Sequence, residues 1–309
     1  MIKRMILPLL LLMLTSPFVA QASEKLHYRL SYSGLITGFF WKKLADVTLN
    51  LRPEAINFRG ENACRLSMTV DTSAYLFAEM IHPVRYHWES ILNPDLQRTL
   101  LTRAIDNGAS DIHEVSWYDW KRASISIYRK RKKVDQNRNI YGAEEKMVWK
   151  KNSYAPAPTF IDSQPLLENG LNYLIQTGEF KQLLSESAID PLAMIRRIRH
   201  HRFEQFGTLQ MVVALDEQLH HYQAKVLERT SLRQGDKLHH STLKIGVSRT
   251  AEGGRKGAMY FWLSNDSRRL PLRIDIKARL GMIHLELLST EEGLKAEECP
   301  PHQPAGSDG

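Results

Sequence analysis

The chain reads as a mostly β protein (α+β), an antiparallel meander curved into a barrel or half-barrel with one or two helices packed against its concave face. Three observations predict this. Short apolar runs of period two recur along most of the chain, as expected of strands with one buried and one wet face. Turn-forming Gly, Asn, Pro and Asp residues separate the runs. One well-marked helix start, Asp190-Pro191, interrupts the series with an N-cap and a proline at the first helical position.

The elements follow in order. Leu26, Tyr28, Leu30 and Tyr32 alternate with Lys25, His27, Arg29 and Ser31. Gly34 and Gly38 bracket a turn, and Trp41, Ala45, Val47, Leu49 and Leu51 continue as a second strand. Cys64, Leu66, Met68 and Val70 form a third, and Val84, Tyr86 and Trp88 a fourth that ends at Asn93-Pro94-Asp95. Weaker strands fall at 100–104, 114–117, 123–128 and 146–149. Residues 154–165, with little periodicity, read as a connector, and 166–176 as a short helix weakened by Gly170. In the helix after Asp190, Leu192, Ile195 and Ile198 share a face. Its arginines, Arg199 among them, read as a solvated basic face near the negative end of the helix dipole. From 209 onward a meander runs through turns at Asp216-Glu217, Gln234-Gly235-Asp236 and Gly253-Gly254. Its clearest pair sets Leu272, Ile274, Ile276, Ala278 and Leu280 against Ile283, Leu285 and Leu287 across Gly281.

The N-terminus places the protein outside the cytoplasm. Lys3 and Arg4 precede an apolar run over 5–14, and Ala20-Gln21-Ala22 offers the small residues of a signal-peptidase site, so cleavage is expected between Ala22 and Ser23. Thr15, Ser16 and Pro17 break the run well short of the roughly 20 residues that a spanning helix needs. No cysteine follows the site to accept a lipid, and no later stretch is long and apolar enough to span. A periplasmic location is the expectation. Losing 22 of 309 residues lowers the net charge from +8 to +6. The body of the protein is expected over 23–290, with 130–187 as an insertion or connector and 291–309 as a disordered tail. The sharpest charge concentration is Arg129, Lys130, Arg131, Lys132 and Lys133. It reads as a solvated hairpin tip, with contact to an anionic lipid or polysaccharide surface as the sharper alternative. Nucleic acid is not an expected partner of an exported chain. The two cysteines, Cys64 and Cys299, are permitted to pair in an oxidising compartment, which would tie the tail to a strand.

Motifs for chemistry are weak. The doublets His200-His201, His220-His221 and His239-His240 suggest metal ligation. Adjacent strand residues point to opposite faces, however, and the two strand doublets are too far apart along their hairpin to converge. Ser241-x-x-Lys244 lies in a strand-like run rather than on the helix turn that Ser/Lys acylation needs. Ser264-Asn265-Asp266 reads as a turn. No cofactor motif is present, and no metal or cofactor is expected.

Residues 260–273, Tyr-Phe-Trp-Leu-Ser-Asn-Asp-Ser-Arg-Arg-Leu-Pro-Leu-Arg, resemble the closing signature of DUF3108, a family of bacterial exported proteins of unknown function. Trp262, Leu263, Ser264, Asp266 and Pro271 carry the resemblance, and Gly281 stands at the family's final hairpin. The opening strand to Gly38, the Asp190 helix and the following meander keep the same order of elements. The resemblance implies a periplasmic β-rich domain, gives these residues a structural role and brings no catalytic residues.

Two functions compete. One is a non-enzymatic periplasmic protein that binds a hydrophobic or amphipathic ligand or a cell-envelope component. The other is an enzyme acting on envelope polymers or lipids, with Asp266, Asp190, Asp162 or Glu89 as acid or base, although nothing in the sequence brings two of these together. A scaffold that recruits protein through a strand edge is a third reading.

Overall fold

The computed structural model describes residues 24–38, 40–109, 112–130, 174–180, 187–203, 207–215, 218–234, 237–250, 259–278 and 280–292. The signal region, Asp162, Cys299 and the expected elements over 146–165 lie outside them.

The first half of the chain forms β1 (Glu24–Gly34), β2 (Lys42–Phe58), β3 (Glu61–Asp71), β4 (Arg85–Leu92), β5 (Thr99–Asp106), β6 (Ile112–Asp119) and β7 (Ser124–Lys130). Next come β8 (Leu174–Phe180) and β9 (Ala188–Ile189), followed by β10 (Leu209–Leu215), β11 (Gln218–Gln234) and β12 (Lys237–Arg249). The last strands are β13 (Met259–Ser264), β14 (Pro271–Ala278) and β15 (Gly281–Glu292). Among the described residues two α-helices, α1 (Leu76–Ile81) and α2 (Pro191–His200), join them.

All fifteen strands belong to one sheet, in the order β8-β7-β6-β5-β4-β3-β2-β1-β15-β14-β13-β12-β11-β10-β9. Strands adjacent in sequence pair antiparallel, with two exceptions: β8 and β9 lie at opposite margins, and β9 runs parallel to β10 across the α2 crossover. The first strand also pairs with the last, from Glu24↔Glu292 to Gly34↔Gly281. That pairing explains the two glycines. A Cβ on Gly34 would run into the Leu280 carbonyl oxygen, and one on Gly281 into the Ser33 carbonyl oxygen.

Among the described residues the margins of the sheet are therefore β8 and β9, and they do not pair with each other. Instead the sheet overlaps itself. Met211 and Val213 of β10 point into the main core, while Ala214, of opposite parity, packs with Tyr118, Ile125 and Ile127 of β6 and β7. The result is a roll whose first-half margin covers the outer side of β10, rather than a barrel closed by hydrogen bonds.

The interior is packed. Leu26, Tyr28, Val47, Leu49, Leu66 and Leu92 from the first half meet Ile245, Phe261, Leu263, Leu272 and Ile274 from the second. Helix α2 fills the concave side with Leu192, Ala193, Met194 and Ile198, and each of the larger three adds about 1.5–3 kcal/mol of burial. Its N-cap does more than end a helix. Asp190 is fully buried, and its carboxylate accepts from Leu192 N (2.8 Å), Ser90 Oγ (2.7 Å) and Thr99 Oγ1 (2.9 Å), bolting the helix to β4 and β5.

Three expectations need correction. Residues 174–176 are the start of β8 rather than the end of a helix, because β-sheet pairing with Lys130, Arg129 and Tyr128 of β7 outweighs weak local helix preference. Arg199 is buried rather than solvated. It pairs with Glu24 at 2.6 Å and donates to the Arg268 carbonyl oxygen at 3.0 Å. The final strand also continues to Glu292, beyond residue 290, because β1 offers Glu24 and Lys25 as pairing partners there.

Candidate functional site

Opposite the core, the strands β15, β1, β2, β3 and β4 carry a polar groove of about 630 Å³. Registry builds it. One cross-strand row runs Glu291, Lys25, Asn50, Ser67, Glu89 and Arg103, and the next runs His27, Thr48, Thr69 and His87. These residues alternate with the core-facing Leu26, Tyr28, Leu49, Leu66 and Met68, as the two-residue period of a strand requires. A bulge shapes one wall. Between Asn50 and Glu54, β2 spends three residues (Leu51, Arg52 and Pro53) against one, Leu66, on β3. Pro53 lies inside the bulge, where its missing N–H costs no ladder bond. Asn50 Nδ2 closes the bulge by donating to Glu54 Oε1 at 2.7 Å.

Charge is organised around Glu89. Its side chain is 6 % exposed and lies 3.2 Å from Arg103 NH1, itself on a side chain 4 % exposed. Arg65 stands between two carboxylates, 2.6 Å from Glu54 and 3.7 Å from Glu89. His87 Nε2 approaches Glu89 at 3.6 Å. Burial alone would raise the Glu89 carboxyl, but His87, Arg103 and Arg65 outweigh it and hold the group below its ordinary range. Glu89 is thus an anion at neutral pH, a poor proton donor and, surrounded by cations, a weak base. Nearby, His27 Nδ1 contacts Thr48 Oγ1 at 3.1 Å and its Nε2 lies 3.3 Å from Glu291. Several buried groove atoms have no hydrogen-bond partner among the described residues, including Asn50 Oδ1 and His87 Nε2. Beside the groove, Ile91, Leu101, Val115 and Tyr128 form a second apolar cluster with Phe58 and Ala63 from the β2–β3 hairpin.

The other sequence candidates are scattered. Asp266 is exposed in the β13–β14 turn, where its Oδ1 accepts from Ser264 Oγ (2.7 Å) and from the backbone N–H groups of Arg268 (3.1 Å) and Arg269 (3.0 Å). Ser264 Oγ in turn accepts from Leu270 N at 2.7 Å. Burial would raise the Asp266 carboxyl, yet these hydrogen bonds and Arg268 hold it low. Asp190 lies on the core side of the sheet, and burial raises its carboxyl despite four hydrogen bonds. Neither meets Glu89. Trp262 is buried between Arg273 (4.7 Å) and Lys244 (5.4 Å), Leu263 lies in the core, and the Pro271 carbonyl oxygen accepts from Tyr28 Oη at 2.7 Å. The signature residues therefore brace a hairpin.

His239 pairs with Leu232, twelve residues along β11 from His220, or roughly 40 Å. Among the described residues, no group of three His, Cys, Asp or Glu is placed to hold a metal. Ser241 bonds Asn265 and sits on strand β12 with Lys244. Arg129 is paired with Glu114 at 2.6 Å, while Arg131, Lys132 and Lys133 lie outside the described residues. Arg129 and Lys130 belong to β7 rather than to a hairpin tip. Cys64 is disulfide-bonded, and Cys299 is the chain's one other cysteine.

No family model matches the chain, and no curated protein matches it. Among solved structures, it is similar to a β-barrel-like protein of a domain of unknown function, DUF1849, from Brucella abortus, at 6 % identity and a TM-score of 0.47. The match covers 88 % of this chain and 98 % of that one. No functional residue carries across a likeness of this kind.

Proposed function

We propose that the chain is exported through a signal peptide cleaved after Ala22 and works in the periplasm as a non-enzymatic binding protein, a member of the exported family that residues 260–273 resemble. In this reading the groove holds a hydroxyl-rich segment of an envelope polymer. The observation that carries it is the lining. Donors (Lys25, Arg65), acceptors (Glu54, Glu89, Glu291) and groups that do both (Asn50, Thr48, Ser67, Thr69) cover the groove with two imidazoles, and no Phe, Tyr, Trp or aliphatic side chain is among them. Hydroxyl groups donate and accept at once, so a saccharide matches this mixture at every point, whereas an acyl chain would strand each polar group. The buried Asn50 Oδ1 is a position that such a ligand would satisfy.

An apolar ligand is less well supported, because the concave face is filled by α2 and the core. A buried ion pair such as Glu89–Arg103 suits a fixed recognition surface more than acid–base work. N-terminal sequencing of the exported chain should begin at Ser23. Calorimetric titration with soluble peptidoglycan and lipopolysaccharide-core fragments should reveal a binder whose affinity vanishes in Ser67→Trp, a substitution that fills the groove floor. Equal binding by the variant would move the ligand elsewhere.

A further inference from the structure

We propose that one end of the roll is a docking surface for an anionic lipid bilayer. Eight of the ten exposed large apolar side chains among the described residues belong to turns at this end: Leu35, Phe40, Trp41, Leu76, Phe77, Met80, Ile81 and Leu280. Registry brings the turns together. Gly34 pairs with Gly281, and Leu35 N donates to the Leu280 carbonyl oxygen at 3.1 Å, joining the β1–β2 and β14–β15 turns. Asp46 pairs with Asp71, and Asp71 with Arg85, placing the α1 connection beside the start of β2. Tyr75 then ties this connection to β2 through Asp46 at 2.5 Å.

Helix α1 points outward. Ala78 is its buried residue, while Leu76 is 75 % and Met80 79 % exposed. Single exposed apolar residues need no explanation, but a set gathered on one end does.

Charge decides the occupant. The acids at this end are held close to the fold: Glu79 and Asp71 share Arg85, at 2.9 Å and 3.5 Å, and Asp46 accepts from Tyr75. Lys42 and Lys43, next to Trp41, are exposed and make no ion pair among the described residues. The end therefore presents apolar and aromatic side chains with two exposed lysines at their edge, the composition that seats proteins at the headgroup level of anionic membranes. A second copy fits less well, because a two-fold contact through this end would have to bury Lys42 and Lys43 together with the exposed Asp46 and Asp71, a desolvation cost that a headgroup layer does not impose. The groove centre at Asn50 is eight residues along β2 from Lys42, or roughly 26 Å. A docked protein would thus keep the groove centre clear of the bilayer, and the two sites stand or fall separately.

Co-sedimentation tests this with vesicles of phosphatidylglycerol and phosphatidylethanolamine, and with vesicles of phosphatidylcholine alone. The exported chain should partition onto the anionic vesicles. Leu76→Glu/Met80→Glu, which alters only exposed positions and should keep the native circular dichroism spectrum, should weaken partitioning by at least about tenfold. Lys42→Glu/Lys43→Glu should abolish the preference for anionic over neutral vesicles. Equal partitioning of all three proteins, or none by the wild type, would overturn the proposal. A concentration-dependent dimer lost in Leu76→Glu/Met80→Glu, without vesicle binding, would assign the surface to a second copy instead.

Discussion

Replacing Glu89 with Gln isolates the electrostatic element beneath the groove. The substitution keeps the shape and one acceptor but removes the charge that faces Arg103 at 3.2 Å, with both side chains over nine-tenths buried. Burial already pushes the Arg103 guanidinium below its ordinary value, and Glu89 works against that push. Removing one partner of a buried pair typically costs about 3–5 kcal/mol, because the other charge is left in a poorly solvated site. Here the groove opens on one side and Arg65 is 42 % exposed, so the low end applies, about 3 kcal/mol. For a chain of this size that lowers Tm by roughly 6–12 °C. The double substitution Glu89→Leu/Arg103→Met removes both charges and should lie within about 1 kcal/mol of the wild type. Urea and thermal unfolding at pH 7 followed by circular dichroism measure both. A loss below about 1 kcal/mol for Glu89→Gln, or a double variant as unstable as the single one, would refute the pairing as the reason these groups are tolerated inside.

Three further outcomes follow from the same geometry. Asp190→Ala removes the α2 cap and the acceptor for Ser90 and Thr99, and should cost about 2–4 kcal/mol in urea unfolding. Glu89, Asp275 and Asp266 are held below their ordinary values in the fold. Their contribution is therefore full above the unfolded carboxylate range and lost as pH falls below about 4, which an unfolding series from pH 7 to pH 3 would show. Asp190 runs the opposite way: its raised value means that stability is lost as pH rises from the unfolded carboxylate value through its folded pKa, a slope opposing that of the other three. Non-reducing peptide mapping should join the Cys64 peptide to the Cys299 peptide, and reduction should cost about 2–4 kcal/mol.

Much of this architecture was legible because strand period is local. The alternation of Leu26, Tyr28, Leu30 and Tyr32 marks β1, and the pair across Gly281 marks β14 and β15, without any knowledge of partners. The Asp190-Pro191 cap fixed the start of α2 to the residue. What the local pattern did not carry was long-range pairing. Nothing near Glu24 announces Glu292, and it is that pairing that brings Glu291 beside Lys25 and completes the groove. Arg199 looked solvated because a cation is normally exposed; its burial depends on Glu24, 175 positions away. Glu89 was visible as a carboxylate, but Arg103, on a weakly patterned strand, was not visible as its partner. Helix α1 went unseen because Leu76, Phe77, Met80 and Ile81 have no polar face opposite them and no capping side chain before them.

The most direct test of the central claim is native mass spectrometry of the chain recovered from expressing cells under gentle conditions. A polar, saccharide-containing adduct, present on the wild type and absent from Ser67→Trp, is the predicted result. An acyl-chain lipid retained equally by both proteins would contradict it and return the ligand to the apolar side of the sheet.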